Sequence, residues 1–254
     1  MNELIAFFNN LSDLFATIIS QGRLLYPTKD FPRNPCILIH SSLASFGHVP
    51  GGEGTVVAAL KTLTQRGDSS LPQMTLMFCA HSDEEPFDLR STSCRKMGRI
   101  PEYIRKMTGT HRSKHPLLSF CACGPKAAFF MAKHSFASGL GPDSPLGKLY
   151  TEDGLILMLG TDWKTCTALH LAEYYNPKRE ILTCSAAVVE HIGPFSYIRS
   201  RTAIDIAFHT ENFQEAGMHF EKENKTHILT GELPQGEWKL MRIRDLVDRC
   251  TFLR

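Results

Sequence analysis

The sequence lacks a strong charge of either sign. Its 254 residues carry 28 lysines and arginines against 26 aspartates and glutamates, a formal net charge of +2. A chain this close to neutral offers no strong field to attract nucleic acid or an anionic membrane surface. We therefore expect neither a nucleic-acid partner nor a membrane partner.

Long apolar runs and a basic leader are also missing. No apolar run approaches the roughly eighteen residues that a membrane helix needs. The first three residues, Met-Asn-Glu, lack the basic region of a signal peptide. Eight cysteines are scattered along the chain, with only Cys121 and Cys123 close together, which is not a dense disulfide framework. Free thiols in a reducing compartment, and hence a cytoplasmic protein, are the expectation.

Helix and strand patterns interleave along the whole chain. Apolar runs at 36–40, 74–79 and 155–159 predict short buried strands. Two longer strands are predicted at 181–189 and 197–208, with Gly193-Pro194 between them. We find no linker and no internal repeat. The sequence therefore predicts an α/β fold with a central mixed β-sheet flanked by helices, in a single domain over residues 1–254.

The first 25 residues contain a predicted amphipathic helix, over 4–25. One stripe is apolar, and the polar face has no lysines of the kind that a membrane-surface helix uses. Packing in the core or against a second copy explains this stripe better than a membrane. The choice between a core face and a homodimer interface stays open. The stripe consists of Leu4, Phe7, Phe8, Leu11, Leu14, Phe15, Ile18 and Ile19.

A histidine and a glutamate follow the buried strand at 155–159. Thr165 is placed to cap the next helix, and His170 and Glu173 are three residues apart, which puts them on one helical face. A histidine at the end of a buried strand beside a carboxylate suits a general base and the group that orients it. An ordinary core or solvated histidine beside a helix glutamate is the alternative on spacing alone.

Two loops have residue types that suit an anionic or polar ligand. The first runs from Ser41 and Ser42 to Gly51-Gly52, between a strand and a helix, where backbone N–H groups can cradle phosphate. It matches neither established phosphate-loop fingerprint, so a plain turn is the alternative. The second, 108–119, is rich in basic and hydroxyl side chains, and an exposed loop is its alternative. Zinc is a weaker alternative there, without recognised ligand spacing, and we expect no metal. Its ligands would be His111, His115, Cys121 and Cys123.

Five short motifs, taken together in their order along the chain, are more specific than the single loops and the His170/Glu173 pair. They lie at 40–52, 97–105, 109–119, 144–150 and 167–174. Together they resemble the aminoglycoside N3-acetyltransferase family, of the antibiotic N-acetyltransferase type, and the likeness extends along the whole chain. The resemblance implies the fold of that family and not the more common acetyltransferase fold that grips pantetheine at a β-bulge.

The resemblance also implies a reaction. Acetyl-CoA would be the acyl donor, a small-molecule amine the acceptor, and His170 the general base. Glu173 or Glu102 would orient His170, and Thr167 would donate to the oxyanion or to the leaving thiolate. Direct attack in a ternary complex is favoured over an acetyl-cysteine intermediate, although Cys166 is close in sequence to His170.

The resemblance further implies residues that bind the two substrates. Ser144 and Asp205 would lie near the acceptor. The donor would be held by Ser41, Ser42, Gly51, Gly52, Arg112, Ser113, His115 and Ser119.

Two segments depart from the family pattern. Residues 205–210 contain one acid where members that modify antibiotics carry an acidic run, and 79–86 lack the family's proline and threonine. Acetyl-CoA is therefore better supported as donor than an aminoglycoside as acceptor. The alternatives are an enzyme of the same fold that acts on another amine, and a coenzyme A-binding protein without catalysis. The presence of His170 and Glu173 argues against the last.

Overall fold

The computed structural model describes residues 2–26, 31–65, 72–176 and 179–250. Its strands, in chain order, are β1 (Cys36–Ser41), β2 (Thr75–Cys79), β3 (His111–Arg112), β4 (Phe120–Cys123), β5 (Leu155–Leu159), β6 (Ile181–Ile192), β7 (Phe195–Ile206), β8 (Ile228–Leu233) and β9 (Gly236–Arg242). Its α-helices are α1 (Asn2–Gly22), α2 (Glu53–Gln65), α3 (Arg99–Arg105), α4 (Ala127–Met131), α5 (Pro145–Thr151), α6 (Leu169–Tyr174), α7 (Phe213–Glu223) and α8 (Ile243–Arg249).

A seven-stranded mixed sheet forms the centre of the fold, in the order β3-β4-β2-β1-β5-β9-β8. β1 is parallel to both β2 and β5, while β4 and β9 run antiparallel to their neighbours. β2 and β5 are buried along their whole length, as expected of apolar runs covered on both faces. Two hydrophobic clusters flank the sheet, and the predicted α/β class with a mixed sheet is confirmed.

β6 and β7 form a separate two-stranded sheet. Gly193, at φ +59°, and Pro194 make the turn between them, in keeping with a two-residue hairpin that has glycine first. The two longer strands expected from the sequence are therefore present. They do not join the central sheet, and one isolated bridge from Val188 to Phe87 ties the hairpin to the loop after β2.

α1 packs into the core through the later part of its apolar stripe. Leu11, Phe15, Ile18 and Ile19 are buried, whereas Leu4 is exposed. The helix contacts α2 and β9. Core packing is thus confirmed for these four residues, and a homodimer stays a prediction. None of the helices in the described ranges has both the length and the apolar character needed to cross a membrane.

Local structure differs from the prediction in three places. Residues 108–119 contain the short strand β3, and the run that follows forms β4, which was not predicted. α5 lies where only a turn leading into 148–150 was expected. α6 begins at Leu169, after a 3₁₀ turn, so Thr165 does not cap it. The Thr165 hydroxyl donates to the Asp162 carbonyl instead, at 2.8 Å.

Candidate active site

A cavity of about 320 Å³ opens at the carboxyl ends of the parallel strands. β1 contributes His40 and Ser41, β2 contributes Cys79, and the segment after β5 contributes Thr167 and His170. β1 pairs with both β2 and β5 in parallel, so their carboxyl ends meet at one edge of the sheet. This edge is where open α/β sheets bind their ligands.

His170 and Glu173 are in direct contact on α6. His170 Nδ1 lies 2.7 Å from Glu173 Oε2, and both side chains are buried. Glu173 Oε1 accepts a hydrogen bond from the His209 backbone N–H at 2.8 Å, so both carboxylate oxygens are occupied. The rings of Phe208 and Phe213 lie 4.2 and 4.6 Å from the imidazole ring, centroid to centroid. These contacts fix the ring and leave Nε2 as the nitrogen available to a molecule in the cavity.

Thr167 and two cysteines lie close to this pair in sequence or in space. Thr167 Oγ1 is 3.2 Å from Cys79 Sγ, and both residues line the cavity. Burial raises the pKa of Cys79 and of Cys166 to about 12. A thiol with so high a pKa stays protonated at neutral pH, and the thiolate is the reactive form. The two thiols therefore give no support to an acetyl-cysteine intermediate, and direct transfer stays a prediction.

Four polar atoms at the cavity are buried without a hydrogen-bond partner among the described residues. They are His40 Nε2, Ser41 Oγ, His81 Nε2 and Thr161 Oγ1. Burial lowers the pKa of His40 to about 4 and, together with nearby His170, that of His81 to about 3. Buried polar groups normally find partners, so these atoms indicate that a polar molecule binds here.

His40, His81 and Thr161 were not among the site residues predicted from the sequence. His40 was noted only inside a strand and a family motif. His81 and Thr161 each lie two residues beyond the end of a buried strand, β2 and β5 respectively. That position was the signal available in the sequence, because the ends of parallel strands converge.

Arg112 and Ser119 were expected to contact the donor, and their polar groups are used within the protein instead. Arg112 donates to Ser119 Oγ at 3.1 Å, to the Ala80 carbonyl at 2.9 Å and to the Thr92 carbonyl. Its guanidinium also lies over the Phe87 ring, at 4.8 Å. Ser119 is fully buried and donates to the Ala80 carbonyl at 2.6 Å. These bonds hold the loop after β2, and contact of Arg112 and Ser119 with the donor stays a prediction.

Ser113 and His115 are fully buried and do not line the cavity, and their contact with the donor stays a prediction. Ser113 Oγ accepts from the Phe120 backbone N–H at 2.8 Å and lies 2.9 Å from His134 Nδ1. His115 Nδ1 accepts from the Leu118 backbone N–H at 3.0 Å. The segment between β3 and β4 brings both side chains into the interior, outside the lining of the cavity.

Ser144 is the N-cap of α5 and does not line the cavity. Its hydroxyl accepts from the backbone N–H groups of Leu146 and Gly147 at 3.1 and 3.2 Å. It donates to the Gly141 carbonyl at 2.6 Å. Ser144 therefore has a role in helix capping, and its place near the acceptor stays a prediction.

Glu102 contacts Arg105, and Glu173 contacts His170. Glu102 accepts two hydrogen bonds from Arg105, both at 2.9 Å, and one from the Cys94 backbone N–H at 2.8 Å. These donors hold the pKa of Glu102 well below its usual range. The prediction left open which carboxylate orients His170, and the geometry favours Glu173.

Asp205 lies against α6 and does not line the cavity. It accepts from the Tyr174 hydroxyl and, at 2.9 Å, from its neighbour Ile206 N–H. Burial raises its pKa. Its other oxygen, Oδ2, is buried without a partner among the described residues. Direct contact of Asp205 with an acceptor in this cavity is therefore not supported.

The remaining predicted donor residues divide between this cavity and the start of α2. Ser41 lines the cavity, whereas Ser42 is bonded through its backbone N–H to the Leu159 carbonyl at 2.9 Å. Gly51 and Gly52 form the turn before α2 at φ +79° and +63°, away from His170. Contact between the donor and Ser42, Gly51 or Gly52 stays a prediction. No three His, Cys, Asp or Glu side chains in the described part of the chain are grouped as metal ligands.

Comparison with known proteins finds aminoglycoside N-acetyltransferases and proteins described as similar to them. The family model described as aminoglycoside 3-N-acetyltransferase matches residues 38–253. The chain is 31% identical over 231 residues to the SPbeta prophage-derived aminoglycoside N(3')-acetyltransferase-like protein YokD of Bacillus subtilis, covering 84% of this chain and 83% of that protein. It is 34% identical over 159 residues to aminoglycoside N(3)-acetyltransferase VIII of Streptomyces fradiae, covering 54% of each.

Solved structures show the same fold. The crystal structure of YokD from Bacillus subtilis matches with a TM-score of 0.74 at 27% identity and covers 92% of each chain. A binary complex of AAC-IIIb with CoASH matches with a TM-score of 0.73 at 24% identity, covering 86% of this chain and 89% of that one. The chain therefore belongs to the aminoglycoside 3-N-acetyltransferase family and is an acyltransferase.

Proposed function

We propose that this protein transfers the acetyl group of acetyl-CoA to the amine of a small molecule, with His170 as the general base. The observation that carries the proposal is the buried His170–Glu173 contact, which leaves His170 Nε2 towards a cavity at the carboxyl edge of the sheet. A relative of the same fold is described as a complex with CoASH, which supports the choice of donor.

The reaction needs a base because an amine at neutral pH is mostly ammonium. The ammonium first loses one proton to solvent, and the free amine nitrogen then attacks the thioester carbonyl carbon while His170 Nε2 takes a second proton from it. Glu173 stabilises the imidazolium that forms and holds Nδ1 in its protonated state. The tetrahedral intermediate then collapses as the carbon–sulfur bond breaks. The proton on Nε2 passes to the departing sulfur, which gives the amide and coenzyme A and restores the neutral imidazole.

Thr167 is the proposed donor to the charge that develops during this reaction. Its hydroxyl lines the cavity with His170, three residues earlier in the chain. A hydroxyl placed there can donate to the oxyanion or to the leaving sulfur, and such donors contribute most where water is excluded. Before that charge develops, the contact with Cys79 Sγ orients the Thr167 side chain.

The test is release of coenzyme A thiol from acetyl-CoA with a panel of amines that includes aminoglycosides. His170→Ala is expected to lower the rate by about 10²- to 10⁴-fold, the usual contribution of a general base. His219→Ala is the matched control, because His219 is exposed on α7 and does not line the cavity. Full activity of His170→Ala would refute the general-base assignment. Absence of any thermal stabilisation by acetyl-CoA would refute the donor.

A further inference from the structure

The cavity that holds His170 is lined by neutral and cationic side chains. Among the described residues, its lining includes Lys96 and Lys164 and no aspartate or glutamate. Lys96 is paired with Asp83. Lys164 is exposed and makes no ion pair within the described part of the chain, so its positive charge is uncompensated at the cavity. Charge of this sign disfavours a polycation and favours an anionic group.

Glu173 and Asp205 lie behind the cavity lining, and neither offers a carboxylate oxygen to an ammonium group of the acceptor. Glu173 has both oxygens bonded, one to His170 and one to the His209 N–H. Asp205 accepts from Tyr174, and its free oxygen is directed at Gly139, where an added Cβ would lie 2.3 Å from it. An aminoglycoside with several ammonium groups would therefore find no free carboxylate in the described part of this cavity.

The unpartnered polar atoms at the cavity are neutral hydrogen-bonding groups. Ser41 Oγ and Thr161 Oγ1 can each donate one hydrogen bond, and the histidines His40 and His81 each present an unpartnered Nε2. Hydroxyl groups and anionic oxygens are suitable partners for such atoms. Together with Lys164 they form a site for a molecule that carries hydroxyls and an anion.

We propose that the acceptor is a small amine that carries an anionic group, such as an amino sugar phosphate, and not a polycationic aminoglycoside. This inference rests on the proposed acetyl transfer and specifies its acceptor. The lysine charge is assigned to the acceptor and not to the donor for a geometric reason. In the donor the whole pantetheine arm separates the thioester from the phosphates, whereas in a small acceptor the anion is only a few bonds from the amine. Because Lys164 and His170 line the same cavity, we assign the Lys164 charge to the acceptor.

The experiment measures binding to the protein saturated with coenzyme A, so that no reaction can occur. Glucosamine, glucosamine 6-phosphate and gentamicin are titrated calorimetrically. Glucosamine and its 6-phosphate differ only by the anionic group. We expect the phosphate to bind about three- to fivefold more tightly than glucosamine, and gentamicin more weakly than both. Lys164→Gln should bring the ratio between the first two close to one. Lys222→Gln, which removes an exposed lysine outside this cavity, should leave the ratio unchanged.

Three results would overturn the inference. One is that the wild type binds glucosamine and its phosphate with equal affinity, or binds neither of them. Another is tighter binding of gentamicin than of both sugars. The third is a phosphate preference that Lys164→Gln leaves intact. Failure of the proposed function is recognised separately, since the thiol-release assay would then show no transfer from acetyl-CoA to any amine of the panel, glucosamine 6-phosphate included.

Discussion

Replacement of Glu173 by glutamine tests the central contact of the site without changing its size. The two oxygens of Glu173 both accept hydrogen bonds, from His170 Nδ1 at 2.7 Å and from the His209 backbone N–H at 2.8 Å. A glutamine has one acceptor oxygen and one NH₂ donor. If the oxygen stays on the His209 N–H, the NH₂ faces Nδ1, and His170 must move its proton to Nε2. His170 then cannot act as a base.

The opposite orientation of the glutamine is also unfavourable. It would place the NH₂ group against the His209 N–H, so that two donors face each other in a buried position. In either orientation the negative charge beside the imidazolium is lost. A unit-charge pair about 4 Å apart is worth about 4 kcal/mol at an effective dielectric constant of about 20. We therefore expect Glu173→Gln to lower kcat by about 10³-fold.

The assay is steady-state thiol release at saturating acetyl-CoA, with the amine that gives the highest wild-type rate. The KM for acetyl-CoA should change little, because Glu173 contacts His170 and not the cavity. Glu215→Gln, on the exposed face of α7, is the matched control and should retain wild-type kcat. A Glu173→Gln variant that melts normally and keeps kcat within about fivefold of wild type would refute the reasoning, because it would show that His170 needs no carboxylate.

Three further predictions concern stability. Glu102→Gln should lower the free energy of unfolding by about 3 kcal/mol, because the buried Arg105 guanidinium loses its charged partner, and kcat of the folded enzyme should not change. Denaturation in urea measures the first effect, and unchanged stability would contradict it. Gly217→Ala should destabilise by about 1–3 kcal/mol or more, since an added Cβ would lie 1.9 Å from the Trp163 ring; a thermal melt followed by tryptophan fluorescence tests this. Unfolding stability should also fall as the pH drops from 6.5 towards 4, by up to about 1.4 kcal/mol per pH unit for each buried histidine whose folded pKa is lowered. The unfolded chain binds more protons than the folded one in that range, so an unchanged melting temperature between pH 7 and pH 5 would contradict this prediction. The histidines concerned have pKa values of about 4 and 3, and they are His40, His81, His115 and His134.

Local patterns were sufficient for much of the secondary structure. The apolar runs of β2 and β5 predicted strands that the structure contains almost residue for residue, because a strand covered on both faces must be apolar throughout. β4 was missed because the run Phe120–Cys123 is short and follows a polar loop. α5 was missed because Pro145 and Gly147 indicate a turn, although proline is well suited to the first turn of a helix.

The His170–Glu173 contact was accessible from the sequence, because spacing of three residues on a helix places two side chains on one face. The predicted donor cluster shows the limit of such reasoning. Basic and hydroxyl side chains such as Arg112 and Ser119 suggest a ligand, yet here they satisfy backbone carbonyls of another loop. A sequence shows which groups can donate hydrogen bonds, and only the packed chain shows which of them are already satisfied.

The sequence by itself determined the fold class, the family likeness and the contact between His170 and Glu173. These depend on short-range spacing and on the order of motifs, which are properties of the chain alone. Only the tertiary structure decided which polar atoms face the cavity, because His40, His81 and Thr161 come together through parallel pairing of β1 with β2 and β5. The charge of the cavity was decided in the same way, since Lys164 lines it while Asp205 and Glu173 are held by their own hydrogen bonds.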